Sequence, residues 1–217
     1  MLVAVVGPSG AGKDTLMAGA RARIGPDERF RFVRRCITRP ASAGGEDHEP
    51  LDREAFLRRR DTGGFALWWE AHGLLYGIPR DIEADLAAGR CVVANLSRGA
   101  LGEANARYPL LVLEITAPPD ILARRLAARG REDPASIAER LAREAPLPPS
   151  LRVRRVVNDG PPDAGAAEVV AALLAAVAEG QQPDSTLTRR AETLTQSQQK
   201  SYDPSVDTRA APFVRKR

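Results

Sequence analysis

The sequence predicts an α/β fold in which a mostly parallel sheet is flanked by helices and interrupted by one inserted subdomain. Three observations predict it. Short β-branched runs alternate with Ala/Leu/Arg segments of helical period, the pattern of βαβ units. The first apolar run, residues 2–6, passes directly into Gly7-Pro8-Ser9-Gly10-Ala11-Gly12-Lys13-Asp14-Thr15 and then into a helical segment. The 217 residues are 43% apolar, enough for one core of ordinary size plus a tail.

Candidate strands are residues 2–6, 30–37, 91–95, 110–116 and 151–157. Candidate helices are residues 13–23, 80–88, 98–106, 120–128, 136–144 and 163–178. Residues 39–79 are too polar and Gly-rich to be a crossover alone, and read as a small subdomain that covers a substrate. Trp68 and Trp69 are expected in its core. Residues 1–180 therefore form the folded domain. Residues 181–217 have hardly an apolar residue before Phe213, bury too little surface to offset ordering entropy and are expected to be a disordered tail. Deleting them should change neither melting temperature nor activity appreciably, and a truncation that unfolds the protein in a thermal scan would contradict this boundary.

The formal net charge of +4 suggests nucleic acid until it is divided along the chain. The tail carries seven Lys or Arg against four Asp or Glu, and residues 1–180 carry 25 against 24, so the folded part is nearly neutral. With only 5% aromatic residues, an RNA-binding function is disfavoured. No run approaches the roughly 18 apolar residues of a membrane span, and residues 2–6 lack the flank and length of a signal peptide, so a cytoplasmic protein is expected. Cys36 and Cys91 lie in apolar runs without paired spacing and read as buried reduced thiols.

Strand, glycine loop and helix in succession make a phosphate site. The glycines let backbone N–H groups turn inward around a phosphate at the positive end of the helix, and the Lys13 ammonium can bridge β- and γ-oxygens. Lys13 is the sole lysine before the tail in a chain that otherwise writes positive charge as arginine. The Ser or Thr that usually follows the lysine is replaced by Asp14, with Thr15 next, so the expected Mg²⁺ contacts are Asp14 and Thr15. ATP and Mg²⁺ are the expected ligands of residues 7–15.

Beyond the loop, Thr38-Arg39-Pro40, Gly44-Gly45-Glu46-Asp47-His48, Glu70-Ala71-His72-Gly73, Tyr76-Gly77-Ile78 and an Arg-rich segment before the last strand resemble the nucleoside monophosphate kinases, guanylate kinase in particular. The frame matches, whereas the guanine readers do not: Ile78 stands for a Thr, His48 for a Tyr, Ala41 for the second clamp arginine, and Asn95-Leu96-Ser97-Arg98 for acidic residues. A pocket built to pair with guanine would leave groups unsatisfied without it, so an acceptor with no base is expected. The full set, with Gly-Lys-Asp-Thr, is similar to the ribose 1,5-bisphosphate phosphokinase family of phosphonate degradation over roughly residues 1–178. That resemblance implies a guanylate-kinase-like P-loop kinase fold with an Arg-rich lid over about residues 129–143. It also implies ATP-dependent phosphorylation of ribose 1,5-bisphosphate to 5-phosphoribosyl 1-diphosphate (PRPP) and ADP.

The resemblance places acceptor contacts at Arg39, His48, Glu70, His72, Tyr76, Asn95, Ser97 and Arg98. Forked guanidinium groups suit an acceptor bearing two phosphates, with Arg39 first, Arg98 second and Arg35 third. Asn95, at the carboxyl end of a strand, suits sugar hydroxyls. The acceptor phosphate is already an anionic nucleophile, so His48 and His72 are assigned to binding, not proton removal. Arg124, Arg125, Arg129, Arg131, Arg140 and Arg143 form the expected lid, and the family alignment favours Arg129 and Arg140 beside Lys13 as catalytic, ATP-facing groups. Asn158-Asp159 resembles the family's adenine-proximal loop. The partner expected is a small sugar phosphate, with no nucleic acid and no membrane, and a homodimer is compatible with the sequence. Two alternatives share the frame. Guanylate kinase itself is opposed by Ile78 and Ala41, and a non-catalytic binding module by the intact Lys13 loop.

Overall fold

The computed structural model describes residues 1–43, 46–128 and 146–180. Strand β1, Leu2–Val6, lies at the centre of a five-stranded parallel sheet of order β2-β7-β1-β8-β9. The other strands of this sheet are Phe30–Phe32 (β2), Cys91–Asn95 (β7), Leu110–Thr116 (β8) and Val153–Val157 (β9). All five β1 residues are at most 1% exposed. Val3 and Val5 pack under α1 (Lys13–Ile24) and the last helix α6 (Pro162–Gly180), and Leu2, Ala4 and Val6 face the core against α3 (Ile82–Ala87) and α4 (Leu101–Arg107). A strand covered on both faces must be apolar at every position, which is why residues 2–6 read as a continuous run. Helix α5, Pro119–Ala127, starts with Pro119 in its first turn and sends Leu122 into the first of these cores.

The inserted subdomain is a second sheet of order β4-β3-β6-β5, built from Cys36–Ile37 (β3), Glu49–Pro50 (β4), Phe65–Ala71 (β5) and Leu74–Pro79 (β6). Helix α2, Arg53–Asp61, joins β4 to β5, capped by Asp52, whose carboxylate accepts from Ala55 N at 2.6 Å. Phe56 and Phe65 stack at 4.5 Å over Cys36 and Leu75 to form its core. Trp69 stacks on Tyr76 at 5.5 Å. Trp68, expected inside, is 40% exposed with the Arg60 guanidinium 5.1 Å over its ring, because adjacent strand residues face opposite sides of the sheet.

One expected strand, residues 30–37, is two strands in two sheets. Phe30–Phe32 pairs parallel with β7, and Val33 N closes that ladder on Val93 O at 2.9 Å. Cys36–Ile37 pairs antiparallel with β6. Between them Arg34 bonds Asp47 and the His48 carbonyl, and Arg35 bonds Glu46 and the Asn95 carbonyl, so long-range polar partners redirect the chain where the local pattern shows no break. The expected helix at 98–106 opens as a 3-10 turn, Arg98–Ala100, before α4. The expected strand from residue 151 begins at Val153, because Leu151 N closes a turn on Pro148 O at 3.1 Å. The helix expected at 136–144 and the tail lie outside the described residues.

Both cysteines are free and buried. Burial pushes the Cys36 thiol up to about 12, with the Glu49 carboxylate it bonds acting in the same direction, and the Cys91 thiol up to about 11. Both therefore stay protonated in the folded protein, and the stability that this protonation supports is complete below the ordinary thiol value of about 8.5 and lost as pH rises beyond it. Native protein at pH 8 should react with neither thiol in an alkylation assay, and urea-unfolded protein with both. Modification of the native chain on the same timescale would contradict the burial.

Candidate active site

The glycine loop turns the chain out of β1 and into α1. Gly7, at φ 147°, passes so close to β8 that a Cβ there would lie 1.9 Å from the Ile115 carbonyl oxygen. Gly12, the N-cap of α1 at φ 85°, has no side-chain cap, so the first N–H groups of a 12-residue helix are left for an anion. A Cβ on Gly12 would meet Asn158 Nδ2 at 2.4 Å, and that amide donates to the Ala11 carbonyl at 2.8 Å, tying the loop to the segment after β9. Lys13 Nζ donates to the Gly7 and Pro8 carbonyls at 2.8 and 2.9 Å and so stands over the cradle. Arg125 on α5 has a buried Nη1 with no hydrogen-bond partner among the described residues, near Gly12. Arg129 and Arg140, expected ahead of Arg125 as the lid groups that face ATP, lie with Arg131 and Arg143 outside the described residues.

In front of the loop is a cleft of about 210 Å³ lined by Ser9, Gly10, Gly12, Lys13, Asp14, Thr15, Arg35, Arg39, Glu46, Tyr76 and Asn95. Three expected acceptor residues, Arg39, Tyr76 and Asn95, thus meet the phosphate loop. Arg39 comes from the segment after β3, and its Nε is buried without a hydrogen-bond partner among the described residues. Asn95 ends β7 and donates from Nδ2 to Asp14 Oδ1 at 3.1 Å, which orients that carboxylate. Asp14 and Thr15 are exposed at the cleft. Two side-chain ligands with phosphate oxygens and water suit Mg²⁺, which seldom takes an all-protein cage. Among the described residues no group of three acidic, His or Cys side chains could hold a metal.

His48 stands behind the cleft and does not line it. It is 3% exposed, with Nε2 3.0 Å from the Arg39 carbonyl and Nδ1 3.0 Å from the Glu46 carbonyl. Its ring fixes the backbone that presents Arg39 and Glu46. The fold does not bring the other four expected acceptor residues to the lining of this cleft. Glu70 follows Trp69 on β5 and so faces the other side, where its nearest described cation is Arg53 at 4.0 Å. His72, at φ 52°, and Gly73, at φ 73°, make the tight β5–β6 turn, and His72 is exposed. Ser97 Oγ accepts from Gly99 N at 3.1 Å and caps the 3-10 turn. Arg98 pairs with Glu114 at 3.1 Å, in a separate groove with Arg155 and residues 146–151, because a carboxylate 7% exposed on a central strand needs cations. Ile78 is fully buried in the core and Ala41 is exposed in a 3-10 turn, so neither forms a wall of the cleft.

Arg35 and Glu46 form an ion pair at the cleft that their local sequence does not announce. Arg35 is 8% exposed, donates to both Glu46 oxygens and from Nη1 to the Asn95 carbonyl at 3.0 Å, and lies 5.2 Å over the Tyr76 ring and 5.7 Å over Trp69. Three of its five N–H donors are thus engaged, and they hold Glu46 and the end of β7 in place. Glu46 lay inside a quoted motif, but only the fold brings it to Arg35.

A parallel sheet with a glycine loop at the central strand, a covering subdomain and a cleft between them defines a P-loop kinase of the guanylate kinase type. A solved guanylate kinase from Anaplasma phagocytophilum superposes with a TM-score of 0.60 at 20% identity, covering 85% of this chain and 87% of that one. No family model matches the sequence. The chain belongs to the ribose 1,5-bisphosphate phosphokinase family: it is 50% identical over 173 residues to the ribose 1,5-bisphosphate phosphokinase PhnN of Acidiphilium cryptum, covering 80% of this chain and 92% of that protein. It is 47% identical over 175 residues to that of Methylobacterium radiotolerans, covering 80% and 97%. It is also 52% identical over 176 residues to the bifunctional ribose 1,5-bisphosphokinase-thymidine phosphorylase of Azorhizobium caulinodans, where it covers 80% of its own length and 25% of the relative's. The chain therefore spans about a quarter of that longer relative. No helix among the described residues is long and apolar enough to cross a membrane.

Proposed function

We propose that this protein transfers the γ-phosphoryl group of ATP to the 1-phosphate of ribose 1,5-bisphosphate, giving 5-phosphoribosyl 1-diphosphate and ADP, in the cytoplasm and as a step of phosphonate breakdown. The observation that carries the acceptor side is the buried, unpartnered Nε of Arg39 in one cleft with Lys13 and the glycine loop. A guanidinium N–H without a partner in a low-dielectric cleft favours a second anion there, opposite the ATP phosphates. The names of the relatives above support the same acceptor.

In this reading the N-terminal N–H groups of α1 and Lys13 hold the β- and γ-phosphates, and Arg125 meets their outer oxygens beside Gly12. Arg39 aligns the acceptor phosphate in line with the γ-phosphorus. Tyr76 walls its far side, and His48 keeps Arg39 in place. Phosphoryl transfer to an anionic acceptor needs positioning and charge neutralisation more than proton removal, and Lys13 and Arg39 supply cations to the cleft. Mg²⁺ held by Asp14 and Thr15 would neutralise charge on the bridging oxygens. Arg129 and Arg140 complete the proposal as lid groups that close on ATP.

The test is a coupled ADP-release assay with ribose 1,5-bisphosphate and GMP side by side. Turnover of the sugar bisphosphate with GMP at background supports the reading, and efficient GMP turnover overturns it.

A further inference from the structure

We propose that Glu46, held rigid by Arg35, reads the vicinal 2- and 3-hydroxyls of the pentose and makes the enzyme selective for ribose over deoxyribose phosphates. This inference rests on the sugar bisphosphate reading above. Glu46 lines two spaces at once: the reaction cleft with Lys13 and Arg39, and a contiguous groove of about 540 Å³ between α1 and residues 32–34. Asp14 and Asn95 line both as well, so the junction of the two spaces is where the body of an acceptor lies once its reacting phosphate meets Arg39.

At that junction the Glu46 side chain is 16% exposed and the Arg35 side chain 9%. Arg35 Nε donates to Glu46 Oε2 at 3.0 Å and Nη2 donates to Oε1. The guanidinium is fixed in turn by the Asn95 carbonyl and the faces of Tyr76 and Trp69. The carboxylate therefore has one orientation. A carboxylate offers about four lone-pair positions, the fork takes two, and among the described residues no other donor reaches its oxygens. A carboxylate repels phosphate, so its complement inside a phosphate cleft is a neutral donor on the acceptor itself. Two oxygens side by side match two adjacent hydroxyls, as an acidic residue matches a nucleotide ribose in dinucleotide-binding folds.

The test measures kcat/KM of the full chain for ribose 1,5-bisphosphate and for its 2-deoxy and 3-deoxy analogues at saturating ATP. Each missing hydroxyl should cost about 10- to 100-fold, the range for a hydrogen bond to a charged group. In Glu46→Ala, and in the volume-conserving Glu46→Gln, the ribose acceptor should fall toward its analogues while KM for ATP stays unchanged, so that the preference shrinks markedly. Equal wild-type turnover of ribose and deoxyribose acceptors overturns this inference and leaves the kinase reading standing. A folded Glu46→Ala protein with full preference also overturns it. Absence of turnover with any pentose bisphosphate overturns the kinase reading and this inference with it.

Discussion

Lys13→Ala is expected to fold normally and to lose kcat by on the order of 10²-fold or more, since in the proposed reading it removes an ammonium aimed at the transferring group. The variant should fold because the loop keeps its other anchors: the Asn158 bond to the Ala11 carbonyl, and Leu16 and Ala20 fully buried one turn further along α1. The loop also loses the ammonium's bonds to the Gly7 and Pro8 carbonyls, worth about 1–3 kcal/mol for charged donors and less where solvent reaches them. Steady-state kinetics beside a melting curve separate the two effects. A kcat within a factor of a few of wild type at unchanged Tm would contradict the assignment of the loop.

Arg39→Ala is expected to act on the other substrate. In the proposed reading its guanidinium meets the acceptor, so KM for ribose 1,5-bisphosphate should rise by about 10- to 100-fold while KM for ATP changes little, the range for a charge-assisted hydrogen bond lost in a buried site. His48→Ala should give a weaker version of the same phenotype, because the ring fixes the Arg39 backbone without lining the cleft. An Arg39→Ala protein with unchanged acceptor KM would place the acceptor elsewhere.

The parts of this site legible in the sequence are those made by consecutive residues. Residues 2–15 carry strand, turn and helix in one local string, and the all-apolar β1 announces a strand covered on both faces. Arg39, Tyr76 and Asn95 were legible through motif and strand-end position. What was not legible depends on pairings across the chain. Nothing in residues 30–37 marks the sheet change, because its causes, Asp47 and Glu46, lie 11 to 13 residues beyond Arg34 and Arg35. The motif around Glu70 says nothing of its side, whereas strand alternation sets it opposite to Trp69. His72 followed by Gly73 is a hairpin-turn signal, and a histidine's chemistry drew attention from its backbone. The motif marks Arg98 as a phosphate ligand, and only the fold shows the buried Glu114 beside it.

The central claim is that the acceptor is itself a phosphate, on carbon 1 of the sugar. The most direct measurement is a ³¹P NMR spectrum of the product formed from ribose 1,5-bisphosphate and ATP. The account predicts a pair of mutually coupled diphosphate resonances from the C1 substituent, with the 5-phosphate still a monoester. A product carrying only phosphate monoesters, or a diphosphate at carbon 5, would contradict it.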